Sequence, residues 1–180
     1  MEQTSFTIET ERLTLRPFEL TDLESIHEYA SDKANTEYMV YLPNNSKEET
    51  EQFLKRVVAE WKNDNPQCYE FAIILDGTHI GAVSASLSED KYECELGWII
   101  HKDYQHRGYA TEAAKAILNF ALTHFNVKKI IACCDYRNAP SCRVMQKIGL
   151  SLECDKGTRR YRGSNGDIKE LKYSLIVDNN

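Results

Sequence analysis

Residues 105–110 read Gln105-His106-Arg107-Gly108-Tyr109-Ala110, which matches the pattern Gln/Arg-x-x-Gly-x-Gly/Ala. Gly108 can adopt backbone dihedrals closed to other residues, so several N–H groups can turn inward together. An amphipathic helix pattern follows at once and adds its unpaired N–H groups and the positive end of its dipole. The stretch therefore predicts a cradle for a pyrophosphate. Taken alone, six residues fit a surface turn that opens a helix equally well.

The elements on both sides of this loop predict a strand-helix-strand unit. A strand is expected from about residue 91 to residue 100, and a short apolar strand from Lys128 to Cys134. The strongest helical periodicity of the chain lies between them, at Ala110, Ala113, Ala114, Ile117, Leu118, Ala121, Leu122 and Phe125. Two strands joined in this way are expected to be parallel, which places the loop at the carboxyl end of a strand. Open α/β sheets usually bind their ligands there.

The rest of the chain predicts further strands and helices. Alternating residues 10–16, ended by Pro17, predict a strand, and Asp76-Gly77 predicts a hairpin between strands 71–75 and 79–83. Capping boxes at Thr21/Glu24 and Ser46/Glu49 predict helices to about 31 and 61, and a helix over 140–148 follows Asn138. A final hairpin joins 152–161 to 168–177. These elements indicate an α/β fold of the α+β type, with a mostly antiparallel sheet of about seven strands and about four helices.

Length and composition predict one domain over residues 1–180. Apolar residues make up 42% and charged residues 28% of the chain, as in ordinary globular proteins. The formal charge of −6 argues against a nucleic-acid partner. We expect no membrane association and a cytoplasmic location, because no apolar run is long enough for a membrane helix and the N-terminus lacks a signal pattern. Six cysteines without C-x-x-C spacing are interpreted as reduced core or near-core thiols.

Four ordered motifs resemble the GNAT superfamily of acyl-CoA-dependent N-acetyltransferases, over nearly the full length. They are Glu9-Thr-Glu-Arg-Leu-Thr-Leu-Arg-Pro17, Glu95-Leu-Gly-Trp98 before the loop, Asn138-x-x-Ser141, and Lys147-Ile-Gly-Leu150. They are similar to the branch that acetylates the N-termini of ribosomal proteins. The resemblance implies acetyl-CoA as acyl donor and two parallel strands that splay apart at the thioester. The implied coenzyme A contacts are Trp98, Ile99, Ile100, Gln105, His106, Arg107, Gly108, Tyr109, Ala110, Thr111, Asn138 and Ser141.

Two residues are candidates for the chemistry. Aminolysis of a thioester needs a neutral amine, so a base must take a proton, and Glu95 lies on the strand leading to the thioester site. It is expected to act through water, and the alternative is that Glu95 faces solvent or orients a cationic substrate. Ser141 resembles a family serine near the coenzyme A sulfur, where its hydroxyl would protonate the departing thiolate. Its alternative role is that of an ordinary first-turn helix residue, and Asn138 is expected to cap that helix in either case.

The acceptor is left open by the sequence. A protein N-terminal α-amine is favoured by the resemblance, and a polyamine, amino acid or antibiotic amine is the alternative, as is a non-catalytic acyl-CoA-binding module. Trp61, Tyr38 and Tyr41 are expected either to line the acceptor side or to be core or rim aromatics. No metal site is expected, because His101 and His106 lack Cys or carboxylate partners at ligand spacing. The chain is expected to be a monomer or a homodimer.

Overall fold

The computed structural model describes residues 6–177, which form one eight-stranded sheet with four α-helices. The strands are β1 (Ile8–Glu9), β2 (Thr14–Pro17), β3 (Cys68–Leu75), β4 (Thr78–Leu87), β5 (Glu93–Ile100), β6 (Lys129–Asp135), β7 (Ser151–Arg159) and β8 (Ile168–Ile176). The helices are α1 (Leu23–Ser31), α2 (Lys47–Glu60), α3 (Tyr109–His124) and α4 (Ala139–Lys147). The predicted mixed α/β class is confirmed, and the additional strand is the two-residue β1.

The sheet order is β1-β2-β3-β4-β5-β6-β8-β7, and every neighbouring pair is antiparallel except β5 and β6. The predicted parallel pair is therefore confirmed. The Asp76-Gly77 turn joins β3 to β4 with both residues at positive φ, 48° and 78°, as the two-residue hairpin signal predicts. Pro17 ends β2 inside the ladder, opposite Phe71. It is tolerated there because β1 pairs only with Thr14 and Leu15, which leaves the other edge of β2 free.

The start of the first helix differs from the prediction. A 3₁₀ turn at Leu20–Asp22 precedes α1, and Thr21 does not cap it, because its hydroxyl donates to the Glu19 carboxylate at 3.3 Å. Asp22 accepts the Glu19 N–H at 2.8 Å and two hydrogen bonds from the Arg16 guanidinium at 2.7 and 2.8 Å. These bonds hold the chain in a tight turn, so the α-helix begins only at Leu23. The Ser46 cap of α2 is confirmed, with its hydroxyl accepting the Glu49 N–H at 3.4 Å.

Each face of the sheet packs against two helices. One core forms under α3 and α4 and includes Phe71, Leu96, Ile117 and Ile130. A smaller core forms under α1 and α2, where Ile26 and Leu54 pack on Ala72 and Ala82. Alternate residues of β5 therefore point to opposite faces, so that Leu96 belongs to the first face and Ile99 to the second. We call the second side the α1/α2 face.

The parallel strands β5 and β6 separate halfway along. Their pairing begins at Glu93↔Lys129 and ends at Glu95↔Ile131. Beyond that pair, and within residues 6–177, β5 stays paired with β4 as far as Ile100, whereas β6 stays paired with β8 as far as Asp135. The two strands thus splay apart towards the carboxyl end of β5, where the loop at 105–110 begins. The splayed strand pair expected from the resemblance is confirmed.

Candidate active site

The loop before α3 has the backbone shape of an anion cradle. His106 and Gly108 both adopt positive φ, 62° and 86°, and α3 begins directly at Tyr109. No side chain of the described residues caps this helix, whereas Ser46 caps α2 and Asn138 caps α4. The first N–H groups of α3 therefore face a half-exposed surface and can bind an anion. The left-handed residue at His106 was not foreseen, because only glycine announces such a conformation in a sequence.

Two contacts fix the loop in place. The Gln105 side-chain Nε2 donates to the Ile100 carbonyl at 3.0 Å, which ties the loop to the end of β5. The Arg107 carbonyl accepts a hydrogen bond from Arg12 at 3.1 Å, and the Arg107 side chain extends beside the Tyr104 ring at 5.9 Å. Gln105 thus holds the loop in place through its side chain, whereas Gly108 contributes through its left-handed backbone conformation. The exposed Arg107 guanidinium is placed where it can attract a phosphate.

The N-terminal turn clamps the first turn of α3. Glu112 accepts hydrogen bonds from the Thr10 hydroxyl at 2.7 Å, the Arg12 backbone N–H at 2.8 Å and the Arg12 guanidinium at 2.7 Å. Partial burial opposes ionisation of Glu112, but these bonds outweigh it and lower the pKa of the Glu112 carboxyl below its ordinary value of 4.5. Arg12 also lies over the Tyr109 ring at 4.6 Å. The segment at 10–12 therefore holds the cradle helix against the sheet.

Replacing Glu112 with alanine is expected to lower the free energy of unfolding by about 1–3 kcal/mol, because it leaves Thr10 and Arg12 without their acceptor. The folded-state pKa is below the unfolded one, so this stabilisation is complete above about pH 4.5 and is lost as the pH falls through the folded pKa. Urea unfolding at pH 7 and at pH 3 measures both effects. The control is Glu51→Ala, which removes an exposed helix pair with Lys55 and should cost about 0.5 kcal/mol or less. An equal cost for both variants at pH 7 would contradict the clamp.

Trp98, Ile99 and Ile100 form the free half of β5 beside the splay. They pair with β4 at Val83, Ala82 and Gly81, and their other edge faces the gap between β5 and β6. An extended ligand in this gap could pair with strand N–H and C=O groups that β4 does not use, as in the addition of a strand to a sheet edge, although the Ile100 carbonyl already accepts from Gln105. Ile100 is buried, whereas Trp98 and Ile99 keep part of their surface accessible. The position suits the pantetheine arm that the family resemblance implies for these three residues.

Glu95 lies at the last paired position before the strands separate. Its side chain is solvent-accessible, yet the surrounding protein desolvates the carboxyl and raises its pKa above the ordinary 4.5. The Glu170 carboxylate raises that pKa further, and Arg159 and Lys172 act in the opposite direction. A carboxylate with a raised pKa at the mouth of the cleft suits a general base that works through water.

Asn138 and Ser141 form the first turn of α4, as predicted. The Asn138 Oδ1 accepts the Ser141 N–H at 3.1 Å and so caps the helix. Ser141 is half-buried, and its neighbour Cys142 points elsewhere, with its Sγ at 3.5 Å from the Cys134 Sγ. Burial raises the pKa of the Cys134 thiol to about 12, so Cys134 is not a source of thiolate at neutral pH. Within residues 6–177, no group of three His, Cys, Asp or Glu side chains is placed to hold a metal ion.

A cavity of about 480 Å³ opens on the α1/α2 face and reaches Gly97, Trp98 and Ile99 of β5. Segment 39–44, helices α1 and α2, and Arg162 of the last hairpin complete its wall. Tyr41 lines this cavity. This agrees with the expectation that it lines the acceptor side, the alternative being a core or rim aromatic. The other two aromatics lie elsewhere: Trp61 packs in the core against Phe71, with ring centroids 5.0 Å apart, and Tyr38 lies beside the Arg137 guanidinium, 5.7 Å from it.

The cavity also brings in a residue that the sequence analysis missed. Glu70 of β3 lines it, while Glu95 does not belong to the wall of this cavity. In the sequence, Glu70 is a carboxylate directly before the apolar run Phe71–Leu75. Because it adjoins Phe71 on the same strand, the two side chains point to opposite faces of the sheet. Which face that position takes depends on the strand register, and the register became known only with the fold.

A splayed parallel strand pair with an uncapped helix start at its open end is the arrangement that the resemblance implies for an acyl-CoA-dependent transferase. The chain belongs to the GNAT acetyltransferases, since the family described as acetyltransferase (GNAT) domain matches residues 12–151. It is 36% identical to the uncharacterized N-acetyltransferase YnaD of Bacillus subtilis over 81% of this chain and 83% of that protein. Its structure resembles a GNAT-family acetyltransferase of Bacillus anthracis, with 32% identity, a TM-score of 0.81, and coverage of 95% of this chain and 98% of the other.

More distant relatives act on different acceptors. The chain is 25% identical to the spermidine N(1)-acetyltransferase of Escherichia coli K12 over 77% of this chain and 73% of that one. It shares its fold, at 18% identity and a TM-score of 0.83, with the ribosomal L7/L12 alpha-N-protein acetyltransferase RimL in complex with coenzyme A, over 96% of this chain and 98% of that one. Its membership of the GNAT acetyltransferases and its similarity to YnaD make the protein an acetyl-CoA-dependent N-acetyltransferase. Across residues 6–177, no helix combines the length and apolar character needed to cross a membrane.

Proposed function

We propose that the acceptor is a primary α-amine, as at a protein N-terminus, which enters through the cavity on the α1/α2 face and attacks the thioester directly in a ternary complex. The observation that carries this proposal is the cavity of about 480 Å³ itself, which ends at Gly97–Ile99 beside the splayed strands. The volume accommodates the first residue of a peptide, within the range of small-ligand sites, and the following residues can leave through the mouth.

The charge of the cavity wall favours a singly charged acceptor. Four charged side chains line it: Glu49, Glu70, Arg56 and Arg162. Arg162 and Glu49 neutralise each other through two hydrogen bonds of 2.8 Å, and Arg56 is exposed. The Glu70 carboxylate is left to bind one ammonium group, whereas a polyamine carries several ammonium groups. An α-amine also has a pKa of about 7.7–8.0, against about 10.4 for a lysine-like amine, so its deprotonation costs about 3 kcal/mol less.

Different residues carry out the separate steps of the proposed acetyl transfer. Acetyl-CoA supplies the acyl group as a thioester, and the N–H groups at 105–111 hold its diphosphate. Glu95 takes a proton from the acceptor through a water molecule, so that the neutral nitrogen can form the new C–N bond. Strand N–H groups near Ile99 and Ile100 stabilise the developing oxyanion. When the C–S bond breaks, the Ser141 hydroxyl gives its proton to the leaving sulfur, and the second proton that the acceptor nitrogen loses on forming the amide returns through solvent to the Ser141 oxygen.

Thiol release from acetyl-CoA with a panel of amines tests the acceptor class. Tetrapeptides with Ser, Ala, Met or Phe at the N-terminus are expected to release coenzyme A. The same peptides blocked by N-acetylation should release none, because they lack the α-amine. Spermidine and an N-acetylated lysine serve as the alkylamine arm. Turnover of spermidine together with silence of every free peptide would contradict the α-amine proposal.

Replacing Ser141 with alanine is expected to lower kcat by about tenfold to a hundredfold, the cost of one hydrogen bond to a charged group. The KM for acetyl-CoA should change little, because the Asn138 cap uses the backbone N–H of residue 141 rather than its hydroxyl. Steady-state kinetics with the best peptide measures both values. Ser164→Ala is the matched control, since that hydroxyl bonds only the Gly166 carbonyl in an exposed turn. Unchanged kcat in S141A would remove Ser141 from the chemistry.

A further inference from the structure

Glu70 lies in a row of residues that leads directly to the splayed strand. It pairs with Ser84 on β4, and Ser84 pairs with Gly97 on β5. Both spacings are strand spacings, so the Cα atoms of Glu70 and Gly97 are about 10 Å apart. Gly97 has no side chain, and a Cβ at that position would lie 2.8 Å from the Ser84 Oγ. Glu70, Ser84 and Gly97 all line the same cavity, so the Glu70 carboxyl group shares one space with the strand beside which the thioester is expected, and the Ser84 hydroxyl lies between them.

Glu70 has no cationic partner among residues 6–177. None of the ion pairs or side-chain hydrogen bonds of the described chain involves its carboxylate, and Trp61 donates to its backbone carbonyl, at 3.0 Å. The residue keeps a minor part of its surface accessible, as a cavity wall residue does, while protein surrounds the carboxyl. Carboxylates in such positions are almost always paired. The missing partner points to a cationic ligand.

The residues around Glu70 indicate what the rest of that ligand should be, apart from its positive charge. The wall of the cavity is mostly apolar, with Ile26 and Tyr29 from α1, Phe53 from α2 and Leu42 from the connecting segment. Such a wall stabilises an apolar group because contact with it removes apolar surface from water. A ligand with one ammonium group and an apolar body complements both features.

We propose that Glu70 binds the ammonium group of the acceptor, and that the cavity takes a singly charged amine with an apolar body next to its nitrogen. This rests on the proposed function and names the acceptor subsite within it. Glu70 is thus a residue that contacts the acceptor and determines which amines bind. Glu95, in contrast, accepts the proton of the acceptor amine at the cleft. For a protein acceptor, the proposal specifies an apolar first residue.

Binding of phenylalaninamide tests the proposal without turnover. This probe has an α-ammonium group, an apolar side chain and no carboxylate, and its affinity is measured by calorimetry or NMR titration in the presence of coenzyme A. Glu70→Gln is expected to weaken its binding at least tenfold, while N-acetylphenylalaninamide, which lacks the charge, should bind wild type and variant equally weakly. Glu70→Asp should retain part of the affinity. Glu51→Gln, an exposed change on α2, is the matched control and should bind like the wild type.

The pH profile of binding separates a ligand contact from a structural role. Burial raises the pKa of Glu70 to about 7, so affinity should rise as the pH increases through about 7 and fall again when the amine loses its proton. The other groups facing this site do not titrate there: the Arg162 ion pair lowers the pKa of Glu49 to about 2, and burial raises that of Cys68 to about 11 and that of Tyr29 well above 10. Burial lowers the pKa of His79, behind Tyr29, and the hydrogen bonds to Glu49 raise the pKa of Arg162 above its ordinary value. Glu70→Gln should therefore abolish the acidic limb.

The outcomes separate this inference from the proposed function. Equal affinity of wild type and Glu70→Gln for phenylalaninamide overturns the Glu70 subsite, even if free peptides release thiol. A lower kcat with unchanged affinity also overturns it, because Glu70 would then act in proton transfer. If Glu70-dependent binding is found while only alkylamines are acetylated, the subsite stands and the α-amine proposal fails. Unfolding by urea checks that Glu70→Gln is folded, and it should be at least as stable as wild type, since it removes an unpaired buried acid.

Discussion

Replacing Glu95 with glutamine is expected to lower kcat with α-amine acceptors by about 10²–10³-fold, the usual range for loss of a general base. Glutamine has nearly the same shape but cannot take a proton. The affinity for acetyl-CoA should stay within a factor of about two, because Glu95 lies on the α1/α2 face at the last paired position of β5, away from the cradle at 105–111. Steady-state kinetics together with calorimetric titration of coenzyme A measures the two effects.

The pH dependence of kcat at saturating acceptor gives a second test of Glu95, because the effect of Glu70 on acceptor binding does not enter kcat. Its pKa is raised in the folded protein, first by desolvation and then by Glu170, so activity should increase with pH as this group loses its proton. That limb should disappear in Glu95→Gln. The matched control is Glu93→Gln, on the same face two residues earlier, where the carboxylate is held by Lys129 at 3.1 Å and Lys172 at 3.4 Å. If the two variants lose the same modest amount of activity, Glu95 only contributes to the local charge.

Replacing Gly108 with valine is expected to weaken coenzyme A binding by about tenfold to a hundredfold. The residue has φ 86°, a conformation that a β-branched side chain strongly disfavours. A Cβ there would also lie 3.3 Å from the Arg12 guanidinium that secures the loop. The backbone must therefore move, and the N–H groups at the start of α3 lose their common direction. The affinity for phenylalaninamide, measured without coenzyme A, should stay unchanged because the acceptor cavity does not include this loop.

Calorimetry of coenzyme A binding tests this variant directly. Gly166→Val is the matched control, because Gly166 lies in the last hairpin with no atom within 4 Å of an added Cβ. It should bind coenzyme A as the wild type does. Unchanged affinity in Gly108→Val would refute the backbone cradle, and urea unfolding will establish that the variant is folded.

The donor side of the site was predictable from local sequence, whereas the acceptor side was not. The cradle, α3 and the strand before it are adjacent in the chain, and a glycine, a periodic helix and a strand pattern announce each of them. The splay of β5 and β6 was implied by family resemblance and was confirmed, although nothing in the apolar run 128–134 shows that pairing ends at Ile131.

The acceptor cavity depends on contacts between distant segments. Its wall combines α1, α2, the irregular segment 39–44, Arg162 of the last hairpin and residues of three strands. Irregular segments have no period from which a contact can be read, and a carboxylate such as Glu70 is assigned to a face only by the register of its strand. The capping box at Thr21 failed for a related reason, since Arg16 on the preceding strand engages Asp22 and reshapes the turn.

The most direct measurement is a crystal structure of the protein with acetyl-CoA. We expect diphosphate oxygens within about 3 Å of the backbone N–H groups between Gly108 and Thr111. We also expect the pantetheine along Trp98–Ile100 and the acetyl group in the gap between β5 and β6, opening into the cavity that contains Glu70. A diphosphate bound away from the start of α3, or an acetyl group with no opening to that cavity, would contradict these expectations.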